Sequence, residues 1–277
     1  MTDTNMKDPT LINIWQAPQT LVLTPDYTNL DTQKMTSPRK KEVPKLRLIP
    51  WDPLSSDHAD RLYRQRLVCG WDYGLIDEWK EEQKAGTKAI YWVVLDDSGP
   101  AKDKLLDSHV AQFPDESLPL QDTASKLLAA PRDPSQEGFL PIGHVGVSLR
   151  PDFNEKVGLP RDGVCWIKTF YVSWVLQGSG IGRTTMTYLE SMMTQNPINA
   201  TIAALDTVPG EWQLAKDNIQ NFYSDPPHKV PAVSNEEWYE RQGYKVFHRD
   251  EKALKERLGD SGEEVVIPLL FCKKRLV

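Results

Sequence analysis

The chain has 277 residues and a mass of 31.5 kDa, ample length to bury a core and read here as one domain with insertions. A formal net charge of −6 argues against general nucleic-acid binding, and no apolar run approaches the roughly 20 residues of a membrane span, so neither nucleic acid nor membrane is an expected partner. Cys69, Cys165 and Cys272 are odd in number, widely spaced and set in or beside apolar runs, which indicates buried thiols rather than a disulfide framework or a zinc site, and no metal is expected.

Residues 1–43 form a polar extension with one apolar patch at Leu11–Trp15 and a strand-like run at Thr20–Leu23, partly disordered or lying over the core. Met1–Thr10 is too polar for a secretory signal, and the cytoplasm, with the nucleus as an alternative, is the expected location. Arg39-Lys40-Lys41 reads as a solvated basic linker.

From residue 44 the pattern becomes that of a folded domain. Lys45–Ile49 alternates as a strand, and Ser55 or Ser56 is placed to cap a helix whose stripe is Ala59, Leu62, Tyr63 and Leu67. A second helix is predicted over Leu75–Lys84 and a strand over Ala89–Leu95. A polar insertion rich in Pro, Asp and Ser follows from about 96 to 137, a length that suggests a flap or a disordered loop. Strands are then predicted at Leu140–Leu149 and Cys165–Val172, a helix from about Gly180 to Met193 with Ile181, Thr185, Leu189 and Met192 or Met193 on one stripe, and a strand at Ala200–Leu205. A second insertion, 208–234, holds Trp212, Tyr223, Pro226-Pro227 and His228. A short helix ending on Gly243, a strand from Tyr244 and a last strand at Val265–Cys272 complete a mixed α/β sheet with helices on both faces.

Gln177-Gly178-Ser179-Gly180-Ile181-Gly182-Arg183 is the segment that carries chemistry. Three glycines in five residues let the backbone turn tightly and approach a ligand, and the first turn of the helix that follows presents unpaired N–H groups to an anion. The Walker phosphate loop fails here, because Gln177 stands where its first glycine should be and Arg183 replaces its lysine. A dinucleotide fingerprint is one residue short: Gly178-x-Gly180-x-Gly182.

The spacing Val172-x-Trp174-x-x-Gln177-x-x-Gly180-x-Gly182 resembles the coenzyme A pyrophosphate loop of the GCN5-related N-acetyltransferase (GNAT) family, with Trp174 where a proline is frequent. Trp238-Tyr239-Glu240-Arg241-Gln242-Gly243-Tyr244 resembles the downstream element of the same family, and together the resemblance spans roughly Pro44–Lys274. It implies a GNAT-like fold with a central, mostly antiparallel sheet, and direct transfer of the acetyl group of acetyl-CoA to a primary amine of a small molecule: a polyamine, an amino-acid-like amine or a xenobiotic amine.

The site residues it implies are Gln177, Gly178, Ser179, Gly180, Ile181, Gly182, Arg183 and Thr184 for the pyrophosphate, and backbone N–H groups of Phe170, Tyr171 and Val172 for the thioester oxygen. Tyr239 falls on the position whose hydroxyl protonates the departing thiolate, while Ala232 stands where an asparagine often touches the pantetheine arm and Asn235 is four residues from Tyr239. His144, Asp206, Asp72 and Glu78 are the candidates for the base. Trp71, Asp72 and Tyr73, in the turn between the first two helices, lie where the acceptor amine binds in the family; Trp71 and Tyr73 either stack on it or pack the loop. Acetylation of a protein N-terminus or lysine is the alternative acceptor, and a silent acyl-CoA-binding regulatory module is the alternative class. The oligomeric state is not legible.

Overall fold

The computed structural model describes residues 44–96, 100–223, 231–258 and 263–277. The expected N-terminal extension, with its apolar patch and basic cluster, lies outside them, as do Pro226-Pro227 and His228.

Seven strands make one sheet: β1 (Leu46–Pro50), β2 (Lys88–Leu95), β3 (Gly143–Ser148), β4 (Val164–Val172), β5 (Ile202–Thr207), β6 (Lys245–Leu258) and β7 (Glu263–Arg275). Their order is β1-β2-β3-β4-β5-β7-β6, and β4–β5 is the one parallel pair in it. This is the mixed sheet with flanking helices that the residue pattern predicts, and it is mostly antiparallel, as the resemblance implies.

All eight residues of β2 are buried, which explains why the sequence there reads as a continuous apolar run rather than an alternation. Ala89, Tyr91, Val93 and Leu95 join one core, which α5 (Ile181–Met193) covers with Ile181, Met186, Leu189 and Met193. Ile90, Trp92 and Val94 join a second core with Leu62 of α1 (Ser56–Cys69) and Ile76 and Trp79 of α2 (Ile76–Lys84). A third cluster, around Trp166, Ile267 and Phe271, fills the far end of the sheet.

Helix α1 starts as predicted, with Ser55 Oγ accepting from the His58 N–H, and stops at Gly70 in the left-handed region (φ 83°). Its buried stripe differs from the expected one. Tyr63 and Leu67 are 45% and 44% exposed, while His58, Arg61, Leu62, Gln65 and Arg66 face inward. These polar side chains are buried because residues beyond the helix satisfy them: Arg61 donates to Leu118 O (2.7 Å), Gln65 to Glu116 Oε2 (2.7 Å) and Arg66 to Trp71 O (2.8 Å).

The segment expected as a flap or disordered loop is built instead around a helix, α3 (Pro100–Gln112). Beyond it, Leu120–Gln121 pairs with Gly138–Phe139, and Arg132 clamps the buried Asp122 with two hydrogen bonds of 2.6 and 2.5 Å. Helix α4 (Pro151–Lys156) lies between β3 and β4. The second insertion carries α6 (Gly210–Gln213) and α7 (Lys216–Tyr223), after which α8 (Asn235–Glu240) leads to Gly243 (φ 92°) and β6.

Candidate coenzyme and acyl-transfer site

Three elements converge at one end of the sheet. β4 and β5 pair in parallel from Val164–Ile202 to Ile167–Leu205, and there the pairing stops. Beyond that rung β4 continues along β3, while Asp206 and Thr207 of β5 pair with Phe271 and Leu270 of β7, so a fork opens between the two strands. β4 also bulges just past the fork. His144 opposes Tyr171 and Gly146 opposes Lys168, which leaves Val145 facing both Thr169 and Phe170, with Thr169 at φ 50°.

The glycine loop follows directly. Ser173 is buried, Trp174–Leu176 makes a 3-10 turn, and Gly178 (φ 83°) and Gly180 (φ 94°) are left-handed, as only glycine tolerates without strain. Gly180 is the N-cap of α5, and among the described residues no side chain caps that helix. Ser179 Oγ is turned back onto Leu176 O (2.6 Å), and Thr184 Oγ1 onto Gly180 O (3.1 Å), so neither hydroxyl covers the helix end. Among the described residues a Cβ built on Gly178 or Gly180 meets nothing within 4 Å. Gln177 and Arg183 are exposed beside it, and Ile181 is buried in the core.

Gly182 has a different reason to be glycine. A Cβ there would lie 3.3 Å from Trp238 Cζ2, and the Trp238 ring sits 6.1 Å from that of Phe170. Helix α8 therefore packs on the first turn of α5 and on the β4 bulge. That places Tyr239, the next residue, against Trp238 (ring centroids 5.0 Å) and Tyr244 (6.0 Å). Among the described residues nothing hydrogen-bonds the Tyr239 hydroxyl. Burial, and next the Asp206 carboxylate, push its pKa up, so it stays protonated at neutral pH.

The base candidates have distinct surroundings. Asp206 accepts from Lys168 Nζ across the fork. His144 is fully buried on the α1 side of the sheet, its Nδ1 2.8 Å from Gln65 Oε1 and its ring edge-on to Trp92. Since Gln65 gives its amide N–H to Glu116, the oxygen faces His144, and the imidazole carries its proton on Nδ1. Among the described residues Nε2 has no partner. Burial, then the charge of Arg66, hold the His144 pKa well below the ordinary 6.5. Asp72 is exposed and accepts from Arg66 (3.4 Å); Glu78 is exposed on α2.

In the α1–α2 turn, Trp71 stacks on Phe222 of α7 (5.8 Å, 11°), and Tyr73 is 48% exposed, edge-on to Tyr63. One face of Trp71 is thus taken by the second insertion. Sequence reading missed the polar cluster behind β4, where Gln65, Glu116 and His109 meet Ser173, because nothing in a one-dimensional pattern joins positions 65, 109, 116 and 173.

The architecture is GNAT-like. The mostly antiparallel sheet and the glycine loop leading into α5 are the features the resemblance implies. No protein-family model matches the chain, and neither does any curated protein. Solved structures similar to it include one assigned to the acetyltransferases of the GNAT family from Desulfovibrio desulfuricans, at 11% identity and a TM-score of 0.46 over 84% of this chain and 100% of that one. An aminoglycoside 6'-N-acetyltransferase from Enterococcus faecium aligns at 14% and 0.43, over 83% and 97%. Arabidopsis thaliana NAA60, in complex with acetyl-CoA, aligns at 11% and 0.45, over 83% and 98%. Among the described residues no helix is long and apolar enough to cross a membrane.

Proposed function

We propose that this chain is an N-acetyltransferase that moves the acetyl group of acetyl-CoA directly to a primary amine of a small cationic molecule, a polyamine or an amino-acid-like or xenobiotic amine. The observation that carries the reading is the open, uncapped N-terminus of α5 behind Gly178 and Gly180, set at the mouth of the β4–β5 fork. The first-turn N–H groups of Ile181, Gly182 and Arg183 and the helix dipole hold the pyrophosphate, with Gln177 and Thr184 at its edges.

Each chemical demand then has a residue. The thioester oxygen gains charge as the amine attacks, and a backbone N–H of Phe170, Tyr171 or Val172, beyond the last β4–β5 rung, donates to it. The thiolate leaves with a proton from Tyr239, whose hydroxyl no described residue hydrogen-bonds and which burial keeps protonated. An alkyl ammonium with a pKa of about 10.4 must lose its proton before it can attack. Asp206, at the fork beside Tyr239, draws the cation and takes that proton, directly or through water.

His144 serves as a buried structural imidazole in this reading, since α1 covers it and its low pKa makes it a poor proton acceptor. Tyr73, exposed in the α1–α2 turn, is the aromatic available to the acceptor. The experiment is thiol release from acetyl-CoA with a panel of polyamines, aminoglycosides, amino acids and peptides. Release with small amines supports the reading, release with peptides alone moves the acceptor to protein, and binding of coenzyme A without release under any acceptor makes the chain a silent coenzyme-binding module.

A further inference from the structure

The proposed pyrophosphate loop is anchored from behind by the insertion between β2 and β3. Ser173, the residue between β4 and the 3-10 turn, gives its N–H to Ile142 O (2.8 Å), which fixes its backbone to the β3 side. Its hydroxyl lies 2.9 Å from Nδ1 of His109 on α3. The other ring nitrogen of His109 faces Glu116 Oε2 at 3.3 Å, without the alignment of a hydrogen bond. The same carboxylate oxygen accepts from Gln65 (2.7 Å) and lies 3.9 Å from Arg61 Nη1.

Every member of this chain is sealed from water: Ser173 and Gln65 are 0% exposed, His109 1%, Glu116 3% and Arg61 5%. Burying an acid, an imidazole and a guanidinium together is costly unless they hold one another in place. The carboxylate favours the proton on His109 Nε2, so Nδ1 accepts and Ser173 Oγ–H donates. A second contact runs beside it: Phe113, at the end of α3, meets Trp174 of the 3-10 turn edge-on at 6.3 Å and stacks obliquely on His109 at 5.4 Å. Helix α3 thus grips the first two residues after β4, one through a hydrogen bond and one through a ring.

We propose that His109 and Glu116 are positioning residues for the coenzyme loop, acting through Ser173: the insertion between β2 and β3 sets the place of the Gly178–Gly180 turn and with it the affinity for coenzyme A. The inference rests on the coenzyme reading of that loop. None of these side chains touches the reacting atoms. Their effect is on the orientation of the helix N-terminus, where a displacement of a few tenths of an ångström misaims the donors.

The test is coenzyme A binding by calorimetry to the native full chain and to Ser173→Ala, His109→Leu, His109→Asn and the Ser173→Ala/His109→Leu double variant, with the melting temperature of each. Loss of one such hydrogen bond should weaken binding about fivefold in each of the first two. The double variant should be no weaker than either single one, because both remove the same link. His109→Asn, which keeps an acceptor near the Nδ1 position, should bind within about twofold of native, and turnover at saturating coenzyme should hardly change. Native-like binding by Ser173→Ala, or additive losses in the double variant, would overturn the proposal. Should His109→Leu fail to fold, Ser173→Ala, which removes one oxygen, and His109→Asn decide it. A native chain that does not bind coenzyme A would remove the coenzyme reading itself, and this inference with it.

Discussion

Lys168 and Asp206 form an ion pair across the gap between β4 and β5, one position beyond the last paired rung, Ile167–Leu205. The pair stands at the point where the parallel ladder ends, with one partner on each strand. Asp206 therefore has two roles in the account: it meets Lys168 at rest and the acceptor ammonium at work. Asp206→Asn should lower kcat/KM for a cationic amine at least tenfold while coenzyme A affinity stays within about twofold. An Asp206→Asn variant with native kcat/KM would take the base role from Asp206.

Tyr239→Phe is a clean substitution because no described residue hydrogen-bonds the hydroxyl it removes. Melting temperature and coenzyme affinity should match native, and kcat should fall about 10- to 100-fold. Since the residue lies against Trp238 and Tyr244, Tyr239→Ala should in contrast cost stability as well. An unchanged kcat in Tyr239→Phe would end the acid assignment.

The loop glycines should separate into two kinds. Gly178 is left-handed with open space above it, so Gly178→Ala should cost about 1 kcal/mol of stability from strain alone and weaken coenzyme binding by more, through the loop it distorts. Gly182→Ala acts through Trp238, 3.3 Å from the added Cβ, and should shift the packing of α8. Denaturant melts and coenzyme titrations of both variants read this out.

How this site could be read in advance follows from which of its signals are local. The glycine loop is a local device of strand, turn and helix, and so was Gly243; both stand where spacing put them. The apolar cores were equally legible, because β-branched and aromatic runs mark buried strands. The inner face of α1 was not. Arg61, Gln65 and Arg66 look like a solvated face, and they are buried because Glu116, Leu118 and Trp71 reach them from outside the helix. α3 was missed for a related reason: its residues are mostly polar, and besides Leu105 and Leu106 on the core it is held by the His109–Ser173 bond and the Phe113–Trp174 contact, neither visible in a local pattern. Gly182 was legible as part of the loop pattern, yet its local reason is a tryptophan fifty-odd positions downstream.

His144 predicts a pH dependence of stability. Its folded pKa lies well below 6.5, so the unfolded chain binds the proton more tightly. Stability is then full above about pH 6.5 and falls as pH drops below that value, by up to about 1.4 kcal/mol for each pH unit, until the folded imidazole also titrates. His58, whose pKa burial also lowers, adds a slope of the same sign. Chemical denaturation of His144→Gln between pH 7.5 and 5 should show a shallower decline than native. Parallel curves would mean that His144 is charged in the fold.

The claim on which the rest depends is that the turn at Gly178 and Gly180 holds coenzyme A. It is tested most directly by thermal unfolding with and without coenzyme A, for the native chain and for Gly180→Asp, which sets a carboxylate against the pyrophosphate. At a hundred times the dissociation constant the ligand should stabilise the native chain by about 2.7 kcal/mol, a rise of several degrees, and the variant should show none. A native melting temperature that coenzyme A leaves unmoved would contradict the account.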